Sequence, residues 1–295
     1  MRVAVVSPYF REPLDWLREC HDSVRAQTHA CTHIMVADGY PHPEVAAWPG
    51  LRHIALPVNH GHGGDTPRAI GSIEAIGSGF DAIAYLDSDN SFAPDHIESL
   101  VDLHRQTGAA FCSSTRYLCR IDGPIMAECL SCDGETFVDT NCMFFARPAF
   151  RMVTAWVLMP DFAHALCDRV VFRAIQNAGL QTAHTGRPTV YYRAKLADVY
   201  RNLREPIPPG VSERNPWQQD AAHDLWEAGG RPSLRVPFRA RRRRGGYADI
   251  EATRARRGEA ARDAALERRE ERGSRPHEAG EPSPRPAESS AESAA

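Results

Sequence analysis

The sequence predicts an α/β protein whose mostly parallel sheet is flanked by helices on both faces and followed by a disordered C-terminal tail. Three observations predict it. Short apolar runs alternate with segments of helical period, the runs stop at turn residues or acids, and the composition changes abruptly near residue 231. Residues 2–6 form the first β-type run, closed by Ser7 and Pro8, and Leu14, Leu17 and Val24 then recur at near-helical spacing. The second run, Ile34 to Ala37, ends in Asp38 and Gly39; the third is His53 to Leu56, and residues 66–78 suit a helix. A fourth run, Ala82 to Leu86, ends at Asp87, a helix follows from about Pro94, and Ala109 to Cys112 make the fifth. Alternation of this kind requires right-handed crossovers between parallel strands, and ligands gather at the carboxyl ends of such strands. That rule points to residues 7–12, 38–40 and 87–90. Residues 115–146 read as irregular, with short β-type pieces at 136–138 and 142–145. A helix is expected over 162–178 because Phe162, Leu166, Val170 and Ile175 share a stripe, and strands near 181–185 and 189–193.

Composition narrows the function classes. Lys+Arg 35 against Asp+Glu 38 leave a formal charge of −3, so there is no chain-wide basic field for nucleic acid. No stretch approaches the roughly 20 apolar residues of a membrane helix, and the N-terminus lacks a signal-peptide pattern. The expected location is therefore the cytoplasm, where eight cysteines remain reduced. From residue 231 onward Ala, Arg, Glu, Ser, Gly and Pro dominate, a composition with too little apolar surface to offset the entropy of ordering. Its basic run, Arg239 to Arg244, is a candidate for peripheral contact with an anionic membrane face, and equally a solvated run.

The chemistry concentrates at Asp87, Ser88 and Asp89. In extended backbone, residues i and i+2 point the same way, so both carboxylates would aim into the ligand crevice. Two adjacent like charges are costly without a cation, and hard oxygen ligands suit Mg2+ or Mn2+ shared with substrate phosphates. Helix capping by the same residues is the competing account. Asp38 ends another strand, where a carboxylate can accept hydrogen bonds from a base or ribose. Pro8 and Tyr9 end the first. Arg68 starts a helix whose terminus and guanidinium both favour an anion.

Taken in order, the segments Val3 to Phe10, Ser23 to Thr28, Ile34 to Gly39, Asn59 to Gly61, Arg68 to Gly71 and Ala84 to Asp89 resemble the family 2 glycosyltransferases over about residues 1–195. The resemblance implies the GT-A fold, a Rossmann-like sheet with a donor half (1–114), an acceptor half (115–230) and the linker and tail (231–295). It implies a nucleotide-sugar donor, UDP- or GDP-linked, Mn2+ or Mg2+, and inversion at the anomeric carbon. By position, Pro8, Tyr9, Glu12, Asp38, Arg68, Asp87 and Ser88 would meet the donor, and Asp87 and Asp89 the metal. The family's base is a carboxylate opening a helix in the acceptor half, followed by an arginine; Asp168, with Arg169 and Arg173, fits, and Asp161 is its rival.

Other readings stay open at this level. Asp139 and Asn141 are candidates for acceptor hydroxyls or for turn formation. Cys119, Cys129, Cys132 and Cys142 supply four thiols but only one Cys-x-x-Cys, so a structural zinc competes with buried free thiols. His60 and His62 lie in a glycine-rich stretch, and Arg193 and Lys195 are phosphate-neutralising or ordinary surface cations. A sugar-phosphate nucleotidyltransferase would want a glycine-rich basic loop after the first strand, where this chain has none. A catalytically degenerate sugar-nucleotide binding module would bind donor without turnover.

Overall fold

The computed structural model describes residues 1–213 and, beyond them, 222, 224 and 225. The tail and the Arg239 to Arg244 run lie outside the described residues. Nine strands form one sheet: β1 (Val3–Tyr9), β2 (Cys31–Asp38), β3 (Leu51–Leu56), β4 (Ala82–Tyr85), β5 (Ser91–Phe92), β6 (Phe111–Cys119), β7 (Ile125–Glu128), β8 (Met143–Ala146) and β9 (Thr182–Arg193). Their order is β3-β2-β1-β4-β8-β6-β9-β5, with β7 on the outer part of β6. The helices are α1 (Leu14–Arg25), α2 (Pro43–Ala46), α3 (Asp65–Gly77), α4 (His96–Thr107), α5 (Ala155–Leu158), α6 (Cys167–Asn177) and α7 (Ala197–Leu203).

The first four strands in chain order pair in parallel, as their helix-separated apolar runs require. Past β4 the sheet is mixed: β8 runs antiparallel to both β4 and β6, and β9 is parallel to β6. The expected division at 114/115 falls inside β6, so the two expected halves share one sheet.

β1, β2 and β4 are buried almost throughout, because helices cover both faces. Gly71 lets α3 lie directly on β1: a Cβ there would stand 2.5 Å from Val6 Cγ1. Gly71→Ala is expected to lower stability by about 1–3 kcal/mol through overpacking, read as a lower urea midpoint with an unchanged slope.

Several expectations are corrected. Residues 136–138 are a loop, held by Asp133, whose carboxylate accepts hydrogen bonds from the Glu135, Thr136 and Phe137 N–H groups. The two strands expected near 181–185 and 189–193 are one, β9, which passes through Pro188 with register shifts against Ser113 to Arg116. The helix expected over 162–178 begins as a 3-10 segment, Asp161–Leu166, and becomes α-helical only at Cys167. All eight cysteines are free.

Candidate active site

The carboxyl ends of β1, β2 and β4, the glycine-rich loop before α3 and the residue two beyond β9 enclose a cleft of about 420 Å³. Pro8, Tyr9, Glu12, Asp38, Arg68, Asp87, Ser88 and Asp89 all line it, together with Asn59 and Lys195. The topology brings them together because adjacent parallel strands present their carboxyl ends at one edge.

Asp38 closes β2. Its carboxylate accepts a hydrogen bond from the His60 backbone N–H at 3.2 Å and from Asn59 Nδ2 at 3.3 Å, while His60 Nδ1 stands 2.7 Å from Oδ1. Gly39 makes this packing possible: its φ is +83°, and a Cβ would lie 2.4 Å from Asn59 N. Tyr9 lines the cleft from within the core. It is buried against Leu17, Met35, Val45 and Trp48, and its hydroxyl accepts from the His42 N–H. The exposed aromatic at this rim is Tyr40, packed edge-on with Phe10 beneath the Arg11 guanidinium.

Behind the cleft lies a buried ion network. Arg68 donates from Nη1 to Asp65 Oδ1 (2.8 Å) and to the Gly63 carbonyl, and from Nη2 to Asp87 Oδ1 (2.5 Å). Asp65 is wholly buried, and its other oxygen lies 2.7 Å from His164 Nδ1. Asp87 is gripped from the far side by Asn141, which accepts the Asp87 N–H at 2.6 Å and donates Nδ2 to Oδ2 at 3.0 Å. Burial pushes the Asp87 carboxyl up, but Arg68, Asn141 and Lys195 outweigh it and hold it below the usual range.

Asp89 has a different environment. One of its oxygens pairs with Lys195, and no hydrogen bond reaches the other among the described residues. Burial raises its pKa, Lys195 opposes the shift, and Asp87 adds to it. Burial lowers and Asp89 raises the Lys195 ammonium, with a net upward shift. Arg193 is not free to meet a ligand. It donates to Glu19, to the Ile121 carbonyl and to the Asp89 carbonyl, and its N–H meets Asn90 Oδ1, so it fastens the 87–90 turn to the end of β9.

Asp168, in the first turn of α6, stands outside the lining of this cleft. Burial first and Asp139 second push its carboxyl up to about 6, against Arg169 and Arg116. Asp139 pairs with Arg116 through Oδ2 and accepts the Asn141 N–H and Nδ2 at Oδ1. Asn141 is fully buried and spends its amide on Asp87 and Asp139. The polar atoms of Asp139 and Asn141 are thus engaged within the protein.

Among the described residues, His62, Asp161 and His164 are the group that brings three metal-ligating atoms within 4.8 Å. The two imidazoles are stacked at 4.1 Å and lie within 6° of parallel, and His164 Nδ1 already faces Asp65. Cys119, Cys129, Cys132 and Cys142 do not form such a cluster. Asp65 and His164 escape sequence reasoning because 99 residues separate them. The only local hint was an acid three residues before Arg68.

An α/β fold of this topology, with strand-end acids around one cleft, is that of the GT-A glycosyltransferases. A family model described as glycosyl transferase family 2 matches residues 4–174, more than half of the chain, and the chain belongs to that family. The crystal structure of S. aureus TarS 1–349 in complex with UDP-GlcNAc superposes with a TM-score of 0.54 at 11% identity, covering 76% of this chain and 65% of that one. The S. aureus TarS structure gives 0.51 at 14%, covering 78% and 43%, and the UDP complex of TarS 1–349 gives 0.50 at 12%, covering 68% and 63%. The chain therefore spans less than two thirds of the TarS chains it resembles. No curated protein sequence matches it. Among the described residues no helix is long and apolar enough to cross a membrane.

Proposed function

We propose that the chain transfers a sugar from a nucleoside-diphosphate sugar, with UDP the first nucleotide to test, to an acceptor hydroxyl with inversion. The observation that carries this reading is the convergence of Asp38, Arg68, Asp87 and Asp89 on one cleft. The UDP and UDP-GlcNAc complexes of the similarly folded TarS support the choice of nucleotide. Asp38 offers acceptor oxygens to the N–H of a base. Arg68 acts indirectly, as the counter-ion that keeps Asp87 ionised and fixed, and Asn141 positions the same carboxylate.

Asp89 fits a divalent cation, Mn2+ or Mg2+, because it presents a hard oxygen without a protein donor, whereas both Asp87 oxygens are already engaged. The metal role expected for Asp87 therefore narrows to Asp89. Bound there beside donor phosphates, the ion would supply charge neutralisation for the departing diphosphate. Asp168 takes the proton of the acceptor hydroxyl. The acceptor oxygen bonds to the anomeric carbon as the bond from that carbon to the phosphate oxygen breaks, and its electron pair leaves on the diphosphate.

UDP at 100 times its dissociation constant is expected to stabilise the protein by about 2.7 kcal/mol, a clear rise in Tm. Asp38→Ala is expected to reduce that rise by weakening binding roughly tenfold. No Tm response to UDP, GDP or their sugar conjugates overturns the donor assignment.

A further inference from the structure

Lys195 is the chain's only lysine. It follows β9 by two residues, and its backbone is fixed: the Ala194 N–H donates to the Cys119 carbonyl, and the Lys195 carbonyl accepts the Ser212 N–H. The side chain is 44% exposed and reaches into the cleft, where Nζ pairs with Asp89.

The charges around the cleft do not balance for an anionic ligand. Four carboxylates line it, Glu12, Asp38, Asp87 and Asp89, against two permanent cations, Arg68 and Lys195. A diphosphate adds further negative charge. Arg68 is poorly placed to meet it: three of its N–H groups go to Asp65, Asp87 and the Gly63 carbonyl, its Nε is buried, and its side chain is only 5% exposed. An ammonium carries three donors, and Lys195 uses one on Asp89. We propose that Lys195 is the diphosphate-binding residue of this cleft, pairing with Asp89 in this structure and turning its ammonium to the donor's phosphate oxygens on binding. It keeps its proton throughout and offsets the charge that the breaking sugar–phosphate bond leaves on the diphosphate. This rests on the donor reading above, and it adds a binding contact made by the chain itself, separate from any ion at Asp89.

A sole lysine gives a direct assay. The intact protein is acylated with an amine-reactive reagent in EDTA, with UMP or UDP present, and the peptide carrying Lys195 is quantified by mass spectrometry. UDP is expected to protect Lys195 several-fold more than UMP. In calorimetry under the same conditions, Lys195→Met is expected to weaken UDP by about 10- to 100-fold and UMP by less than about threefold, with Lys195→Arg recovering much of the loss. Equal labelling with UDP and UMP overturns the proposal even if no variant folds. So does a Lys195→Met protein that binds UDP like the wild type. UDP binding that needs manganese and vanishes in EDTA also overturns it, while leaving the donor reading intact. A wild-type protein that binds neither UDP nor GDP with manganese present removes both.

Discussion

Asp168→Asn is expected to cut sugar transfer by about 10²–10⁴-fold while leaving the UDP-dependent rise in Tm in place. The expectation follows from position and charge state. Asp168 opens α6 outside the donor cleft, so its amide should not disturb nucleotide binding. Burial and the nearby Asp139 push its carboxyl up to about 6, close to the pKa at which a general base is most effective near neutrality. The sign of the pH effect is fixed: the base works ionised, so wild-type kcat should rise with pH through about 6 and level off above it. The residual activity of the variant should lack that limb. Equal kcat in wild type and Asp168→Asn would transfer the role to another acid, Asp161 being the first to test. Donor binding with no turnover in either protein would identify a binding module.

Arg68→Ala is expected to be the most destabilising single change in the site, by about 3–5 kcal/mol, because it strips buried Asp65 and half-buried Asp87 of their shared counter-ion. For a domain of this size that is a fall in Tm of roughly 6–20 °C. The pH dependence supplies the check. In the wild type the Asp87 pKa is depressed, so its contribution is present above the unfolded value of about 3.9 and disappears as pH falls through the folded value. Without the guanidinium, only Asn141 and Lys195 oppose burial, and the Asp87 carboxyl shifts upward. The gap between variant and wild type should then be widest near pH 7 and should narrow toward pH 4, where protonation removes the buried charge. A gap in urea midpoint that does not change with pH would show that lost packing, not charge, sets the cost.

Much of the donor side was legible in the sequence because it is built from local signals. Apolar runs that end in Asp38 and Asp87 locate strand ends, and parallel topology carries those ends to one edge. The chemistry of each acid was less legible, because its partners come from far along the chain. Asp87 and Asp89 are indistinguishable in a motif. One is immobilised by Asn141, 54 residues away, and the other faces Lys195. The place of Tyr9 after a strand says nothing of its burial, and only the small core under α1 and α2 shows it. The acceptor side was least legible. β9 keeps its course through Pro188 by shifting register against β6, and α7 has no apolar period long enough to announce it.

The irregular stretch of β9 between His184 and Pro188 sets the phase of everything that follows it. His184 pairs with Ser113 and Pro188 with Thr115, so the longer strand absorbs extra residues before it reaches Arg193 and Lys195. Side chains alternate along a strand, so losing a single residue from that bulge would exchange inward and outward positions downstream. The strut that holds the acidic turn would then face away from it. Insertions and deletions here act on the chemistry at a distance, and an engineer who trims this loop should count in pairs.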